Sequence, residues 1–145
     1  DLRSHYDWVI LDCPPTLGIL TINALTAADE VIVPLQCETL AHRGVGQLIE
    51  TVRDVARVTN PRLTIGGILP TMYDGRTSHA RAVLADIYER YEIPVLDPPI
   101  ARSVRFAEAP ALGRSALATS SHLRGVEAYR VHAQRMVDAR KDHRV

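Results

Sequence analysis

The stretch Trp8-Val9-Ile10-Leu11-Asp12-Cys13-Pro14-Pro15-Thr16-Leu17-Gly18 decides the fold class. Four consecutive apolar residues predict a strand buried on both faces, because a half-buried strand alternates apolar with polar side chains. Asp12 ends the run. The two prolines that follow cannot continue a ladder, since they fix φ and carry no N–H. A carboxylate placed where a parallel strand leaves its sheet lies in the crevice where open α/β sheets hold ligands. Taken alone, an acid followed by prolines is also an ordinary strand terminator, so the flanking sequence has to weigh between the two.

Outward from this stretch, strand and helix signals alternate. Thr16 is placed to cap a short helix with Leu17, Leu20, Ile22, Ala24 and Leu25 as its loose apolar face. Val31-Ile32-Val33-Pro34-Leu35 predicts a second strand, with Pro34 marking its end. Val45, Leu48, Ile49, Val52, Val55 and Ala56 recur at helical spacing and form the clearest amphipathic pattern, stopped by Asn60-Pro61. Residues 63–72 predict a third strand in which Gly66-Gly67 permits a bend or a close backbone approach. After a turn at Tyr73-Asp74-Gly75-Arg76, Thr77 or Ser78 caps a helix carrying Ala80, Val83, Leu84, Ile87 and Tyr91. Ile93-Pro94-Val95-Leu96 predicts a fourth strand, ended by Asp97-Pro98-Pro99. Residues 100–121 are irregular in pattern. A last helix begins near His122 and turns Leu123, Val126, Tyr129, Ala133, Met136 and Val137 inward.

This alternation predicts an α/β fold: a parallel sheet with helices on both faces, about four strands and four to five helices, joined by right-handed crossovers. The 145 residues suit a single domain, 1–145, with a disordered tail at 142–145. In a parallel sheet the strand C-termini point to one edge, so the loops starting at Asp12, Gln36, Met72 and Asp97 are expected on one face.

Hydrophobic residues make up 46% and charged residues 23%, the balance of a globular protein, and the formal net charge is zero. A zero balance gives no whole-chain attraction to nucleic acid or to a membrane surface. Basic residues nevertheless gather late: from Pro99 onward there are nine Arg or Lys against four acids. Lys141 is the only lysine. No apolar run approaches the roughly 18 residues that span a bilayer. Cys13 and Cys37 read as reduced thiols with packing roles. The six histidines show no zinc-like pairing, and no nucleophile elbow accompanies Ser4-His5, His42-Arg43 or Ser121-His122.

Several segments together resemble the ParA/Soj family of chromosome- and plasmid-partitioning ATPases. These are residues 6–18, Leu20-Thr21-Ile22-Asn23-Ala24-Leu25, Val33-Pro34-Leu35-Gln36-Cys37-Glu38, residues 67–77, Ser103-Val104-Arg105-Phe106-Ala107-Glu108-Ala109-Pro110 and Arg124-Gly125-Val126-Glu127-Ala128-Tyr129. The likeness covers nearly the whole chain in order, and it implies a P-loop NTPase-like fold. It makes Asp12 the Walker-B aspartate, holding Mg²⁺ through water, and Cys13, Pro14, Pro15, Thr16, Leu17 and Gly18 the switch II segment. Thr71 and Met72 match a strand end that borders the nucleotide base, as do Ala101 and Arg102. At Ala101 and Ser103 the family usually has proline and asparagine. The resemblance further implies ATP and Mg²⁺ as cofactors of the intact family protein, not expected to bind tightly to this chain alone, a homodimer formed on ATP, a ParB-type partner protein, non-specific DNA as a ligand, no membrane, and a cytoplasmic, nucleoid-associated location. Arg76, Arg102 and Arg105 are the candidates for DNA phosphate contact.

One family element is missing from these residues. The deviant Walker A loop is a glycine-rich turn with two lysines, and the sequence contains no G-x-x-x-x-G-K-[ST]. Gly44-Val45-Gly46 opens a helix and lacks the third glycine and the lysine. The chain therefore reads as the C-terminal portion of a ParA-type ATPase domain, inactive in ATP hydrolysis by itself. The alternative is a non-catalytic, truncated ParA-like module that regulates DNA or a full-length ParA. A cell-division or nitrogenase-type ATPase of the same wider group fits the Cys-Pro-Pro turn and the Ala-Glu-Ala-Pro segment less well. A bare apolar edge at residues 8–11 further predicts a marginal or self-associating chain.

Overall fold

The computed structural model describes residues 5–38 and 41–142, with the side chains of 41–43 and 140–142 outside that description. The fold is α/β, a parallel sheet with helices. Its elements run α1 (Ile19–Ala27), β1 (Glu30–Gln36), α2 (Ala41–Val58), β2 (Thr64–Thr71), α3 (Ser78–Tyr91), α4 (Arg105–Ala111), α5 (Ala116–Thr119) and α6 (Arg124–Asp142). β1 and β2 pair with each other. Two isolated parallel bridges, Ile68 with Val95 and Tyr73 with Ala101, carry pairing past β2. The chain divides into two compact units, Asp1–Val31 with Arg43–Gly66, and Ile32–His42 with Gly67–Val145.

In the first unit, Leu25, Val52, Val55 and Leu63 form a buried cluster, flanked by Ile22, Ala28, Val31, Leu48, Ala56 and Ile65. The apolar stripe of α2 supplies much of it, as its spacing predicts. Each fully buried aliphatic side chain contributes about 1.5–3 kcal/mol. Asn60 is buried beside the cluster, and its amide Nδ2 donates to the carbonyls of Leu25 at 3.0 Å and Ala28 at 2.6 Å. Those carbonyls lie at the end of α1, where no intrahelical donor remains. The same residue that stops α2 thus also closes α1.

Residues 8–11 depart from the sequence expectation. They form no ladder, and Trp8, Val9, Ile10 and Leu11 are 41%, 51%, 84% and 48% exposed. A parallel strand is buried on both faces only when neighbours pair with it and helices cover it. Among the described residues, neither β1 nor β2 takes this run as a neighbour. Two further corrections are local. Gly18, not Thr16, is the N-cap of α1, and it gives no side-chain hydrogen bond. β1 continues through Pro34 to Gln36, since a proline is tolerated where its missing N–H faces no partner strand.

The second unit buries Ile68, Val83, Ile87, Ile93, Ile100 and Val126. Thr77 caps α3, its hydroxyl accepting from the Ala80 N–H at 3.4 Å. The expected fourth strand is reduced to a single bridge at Val95. Gly67 is the reason that bridge is so close: its φ is +150°, and a Cβ there would lie 2.8 Å from both the Pro94 carbonyl oxygen and Leu96 Cδ2. The Ile68 N–H donates to Pro94 at 2.9 Å, and the Leu96 N–H donates back to Ile68 at 2.8 Å. The described residues therefore hold two strands and six helices, against the four strands and four to five helices expected.

Residues 100–121 contain two short helices that periodicity did not reveal, because seven and four residues are too few to show a period. α6 is rotated from the expected face. Tyr129, Ala133 and Val137 are exposed, whereas Gly125, Val126, Ala128 and His132 are buried. The rotation follows from packing: a Cβ at Gly125 would sit 2.8 Å from the Phe106 ring, so only glycine allows this approach. Of the tail expected at 142–145, Asp142 closes α6, and residues 143–145 lie outside the described residues. No helix of the described residues is long and apolar enough to cross a membrane.

Candidate functional site

Asp12 belongs to the first unit and stands exposed on a segment that joins no ladder among the described residues. After it, the Cys13 thiol points back to the Leu11 carbonyl at 3.7 Å. Pro14 and Pro15 keep the following backbone stiff and exposed. Among the described residues, the segment is tied down where it meets α1. The Thr21 hydroxyl, buried, donates to the Thr16 carbonyl at 2.6 Å, and the Ile22 N–H donates to Gly18 at 3.1 Å. Leu17 is half-buried between these anchors. Residues 13–18 are thus a stiff link from an exposed carboxylate to the first turn of a helix.

Mg²⁺ keeps several waters and takes one or two carboxylates plus phosphate oxygens, a donor set to which the exposed carboxylate of Asp12 can contribute. Among the described residues no group of three or more His, Cys, Asp or Glu side chains gathers to hold a metal directly.

The remaining predicted residues belong to the second unit. Thr71 ends β2, and Met72 follows in the left-handed region at φ +48°, with its side chain 58% exposed. For a bulky residue that conformation is a local strain. It turns the chain so that the Tyr73 N–H donates to the Ile100 carbonyl at 3.0 Å and the Arg102 N–H donates to the Tyr73 carbonyl at 3.3 Å. With the Tyr73–Ala101 bridge, Thr71, Met72, Ala101 and Arg102 are brought to one strand end.

Asp74, which the sequence reading passed over as a turn residue, organises the charge there. Its carboxylate accepts from the Arg76 backbone N–H at 3.1 Å, Nε at 3.0 Å and Nη2 at 2.9 Å. The hydrogen-bonded Arg76 guanidinium, helped by the Arg76 backbone N–H and more weakly by Arg102, holds the Asp74 carboxyl down at about 2. Asp74 in turn pushes the Arg76 guanidinium up. Arg105 is also paired, with Glu108 at 2.8 Å across one turn of α4. Both pairs are solvent-exposed and weak. Arg102 differs: its exposed side chain makes no hydrogen bond or salt bridge among the described residues. The partners of Arg76 and Arg105 sit two and three residues away, a local signal that was available in the sequence. The contacts of His132 with the Pro98 carbonyl and of Arg135 with the Asp97 carbonyl carried no such signal.

Both cysteines are free thiols, and burial pushes the Cys37 thiol up.

Comparison with known proteins places this geometry among relatives. Residues 1–65 match the family AAA_31, described as an AAA domain. The chain is 42% identical over 140 residues to the chromosome partitioning protein ParA of Caulobacter vibrioides, covering 97% of this chain and 52% of that protein. It is 43% identical over 128 residues to the sporulation initiation inhibitor protein Soj of Bacillus subtilis, covering 88% of this chain and 51% of that one. Among solved structures, cobyrinic acid a,c-diamide synthase from Mycobacterium smegmatis with bound ADP and magnesium superposes with a TM-score of 0.80 at 50% identity, covering 97% of this chain and 50% of that one. The chain spans about half the length of the curated relatives it matches. By these identities along nearly all of its residues, the chain belongs to the ParA/Soj family of partitioning ATPases.

Proposed function

We propose that this chain supplies the Walker-B, switch II and base-side elements of a ParA/Soj-type partitioning ATPase. The observation that carries the reading is the 42% identity to ParA over 97% of the chain. The convergence of residues 71–73 with 100–102 supports it, because that strand end offers an exposed apolar side chain, Met72, to the flat face of a base. The structure of the Mycobacterium smegmatis relative, with bound ADP and magnesium, is a solved example of a nucleotide on this scaffold.

When bound, Mg²⁺ would offset the charge that develops in phosphoryl transfer. Asp12 would hold one of its waters. A change in phosphate contact at residues 13–15 would reach α1 directly, since the link ends at the Thr16–Thr21 and Gly18–Ile22 hydrogen bonds. Dimerisation on ATP, the ParB-type partner and nucleoid DNA are then the outputs of this switch. Of these three candidates Arg102 is the most available to DNA phosphate, since Arg76 and Arg105 would first have to leave Asp74 and Glu108. The test is turnover by the purified 145-residue protein with Mg-ATP, for which no Asp12-dependent hydrolysis is expected. Hydrolysis abolished by Asp12→Ala would refute the division of labour, because the motif that neutralises the phosphates is not in this sequence.

A second reading, a non-catalytic module acting on DNA or on a full-length ParA, is favoured by the exposed Arg102 side chain, which makes no hydrogen bond or salt bridge among the described residues. Salt-dependent DNA retention without nucleotide, lost in an Arg102→Ala/Arg105→Ala double variant, would select it. The 50% identity to the cobyrinic acid a,c-diamide synthase structure reflects, on our reading, a shared nucleotide scaffold. Saturable binding of cobyrinic acid by the purified chain would turn the assignment toward amidation instead.

A further inference from the structure

One face of α6 braces the segment that meets the end of β2. Gly125, Ala128, His132 and Arg135 recur at helical spacing, and the first three are buried. A Cβ at Gly125 would stand 3.2 Å from the Ala101 carbonyl oxygen, so the helix backbone approaches that segment closely. Farther along, His132 Nε2 lies 2.7 Å from the Pro98 carbonyl. A carbonyl only accepts, so Nε2 carries the hydrogen and donates. Arg135 Nη1 donates to the Asp97 carbonyl.

These contacts fall where the segment has little to hold itself. The Leu96 N–H donates to Ile68 at 2.8 Å, and the next such bond is from the Ile100 N–H to Pro70 at 2.8 Å. Between them Pro98 and Pro99 have no N–H, and the carbonyls of residues 97 and 98 go to α6. The length and shape of this loop decide which residue of 100–102 faces Tyr73. A slip of one residue would send Ala101 and Arg102 to the opposite sides of the strand.

We propose that His132, supported by Arg135, is a positioning residue for the nucleotide-base edge, setting from α6 the register of residues 100–102 against 71–73 and so the preference for the base. The proposal rests on the assignment of Thr71, Met72, Ala101 and Arg102 to the base edge.

The experiment compares the 145-residue protein with His132→Leu, which keeps bulk but loses the donor, and His132→Gln, which keeps a donor. Amide hydrogen exchange is read at Tyr73, Ile100 and Arg102, with Thr64 of the other compact unit as reference; chemical shifts of residues 71–73 and 100–102 are read on adding ATP or GTP. His132→Leu is expected to speed exchange about tenfold at Tyr73 and Arg102, leave Thr64 unchanged, and reduce the difference between the ATP and GTP shifts, with His132→Gln restoring both. Exchange that is unchanged, or faster everywhere to the same degree, overturns the positioning role. A wild-type chain whose residues 71–73 and 100–102 ignore ATP even when it is titrated to concentrations that detect weak binding overturns the base-edge assignment and the selectivity with it. A wild-type ATP response untouched by His132→Leu overturns the positioning role alone.

Discussion

Replacing Gly67 by alanine tests the packing that joins β2 to the segment beside it. At φ +150° an L side chain is strained, at a cost of order 1–3 kcal/mol. The added Cβ would also stand 2.8 Å from the Pro94 carbonyl oxygen and 2.8 Å from Leu96 Cδ2. The leucine can change rotamer. The carbonyl cannot retreat without stretching the 2.9 Å bond it accepts from the Ile68 N–H, and Ile68 is fully buried. Overpacking of this kind costs about 1–3 kcal/mol more. The sum is about 2–6 kcal/mol, which for a chain of this length lowers the melting temperature by about 6–20 °C. Urea unfolding at constant m-value reads the total, and exchange of the Leu96 amide reads the local part. Gly44→Ala is the control: nothing lies within 4 Å of its Cβ, and alanine within α2 should stabilise by about 0.5–1 kcal/mol. If Gly67→Ala unfolds at the wild-type midpoint, the close approach is not what sets this pairing.

Three further outcomes follow from the same geometry. In Arg76→Met the Asp74 carboxyl should titrate near the ordinary 3.9 instead of about 2, followed by NMR; because the folded value is depressed, the pair's stabilisation is present above about pH 4 and is lost as pH falls toward 2. Asn60→Ala strips the donor from the Leu25 and Ala28 carbonyls at a buried position and should cost about 2–4 kcal/mol in urea unfolding; a loss under about 0.5 kcal/mol would mean that water replaces the amide. The exposed apolar run at residues 8–11 should drive concentration-dependent association in sedimentation experiments, and Ile10→Lys, at the most exposed of the four, should reduce it; a monodisperse wild-type chain at every concentration contradicts this.

What the sequence determined by itself is whatever depends on neighbours along the chain. The stripe of α2 was readable because six apolar residues repeat at 3.6 spacing, and the cap of α3 because Thr77 opens a helical pattern. The family was readable because its motifs recur in order, with Asp12 and the residues after it at the centre. Tertiary structure decided whatever depends on what a segment meets. Residues 8–11 have the composition of a buried strand, but burial needs neighbours on both sides, and among the described residues no ladder forms there. The face of α6 was set by a glycine against Phe106 and by a histidine reaching Pro98, contacts 19 and 34 residues apart that no periodicity encodes. Thr71, Met72, Ala101 and Arg102, proposed for the base edge, were named one by one from the sequence, but their meeting was not legible: it needs a left-handed Met72 and a loop held from α6. A backbone that turns against its preference is fixed by surrounding packing, so only the folded chain could reveal it.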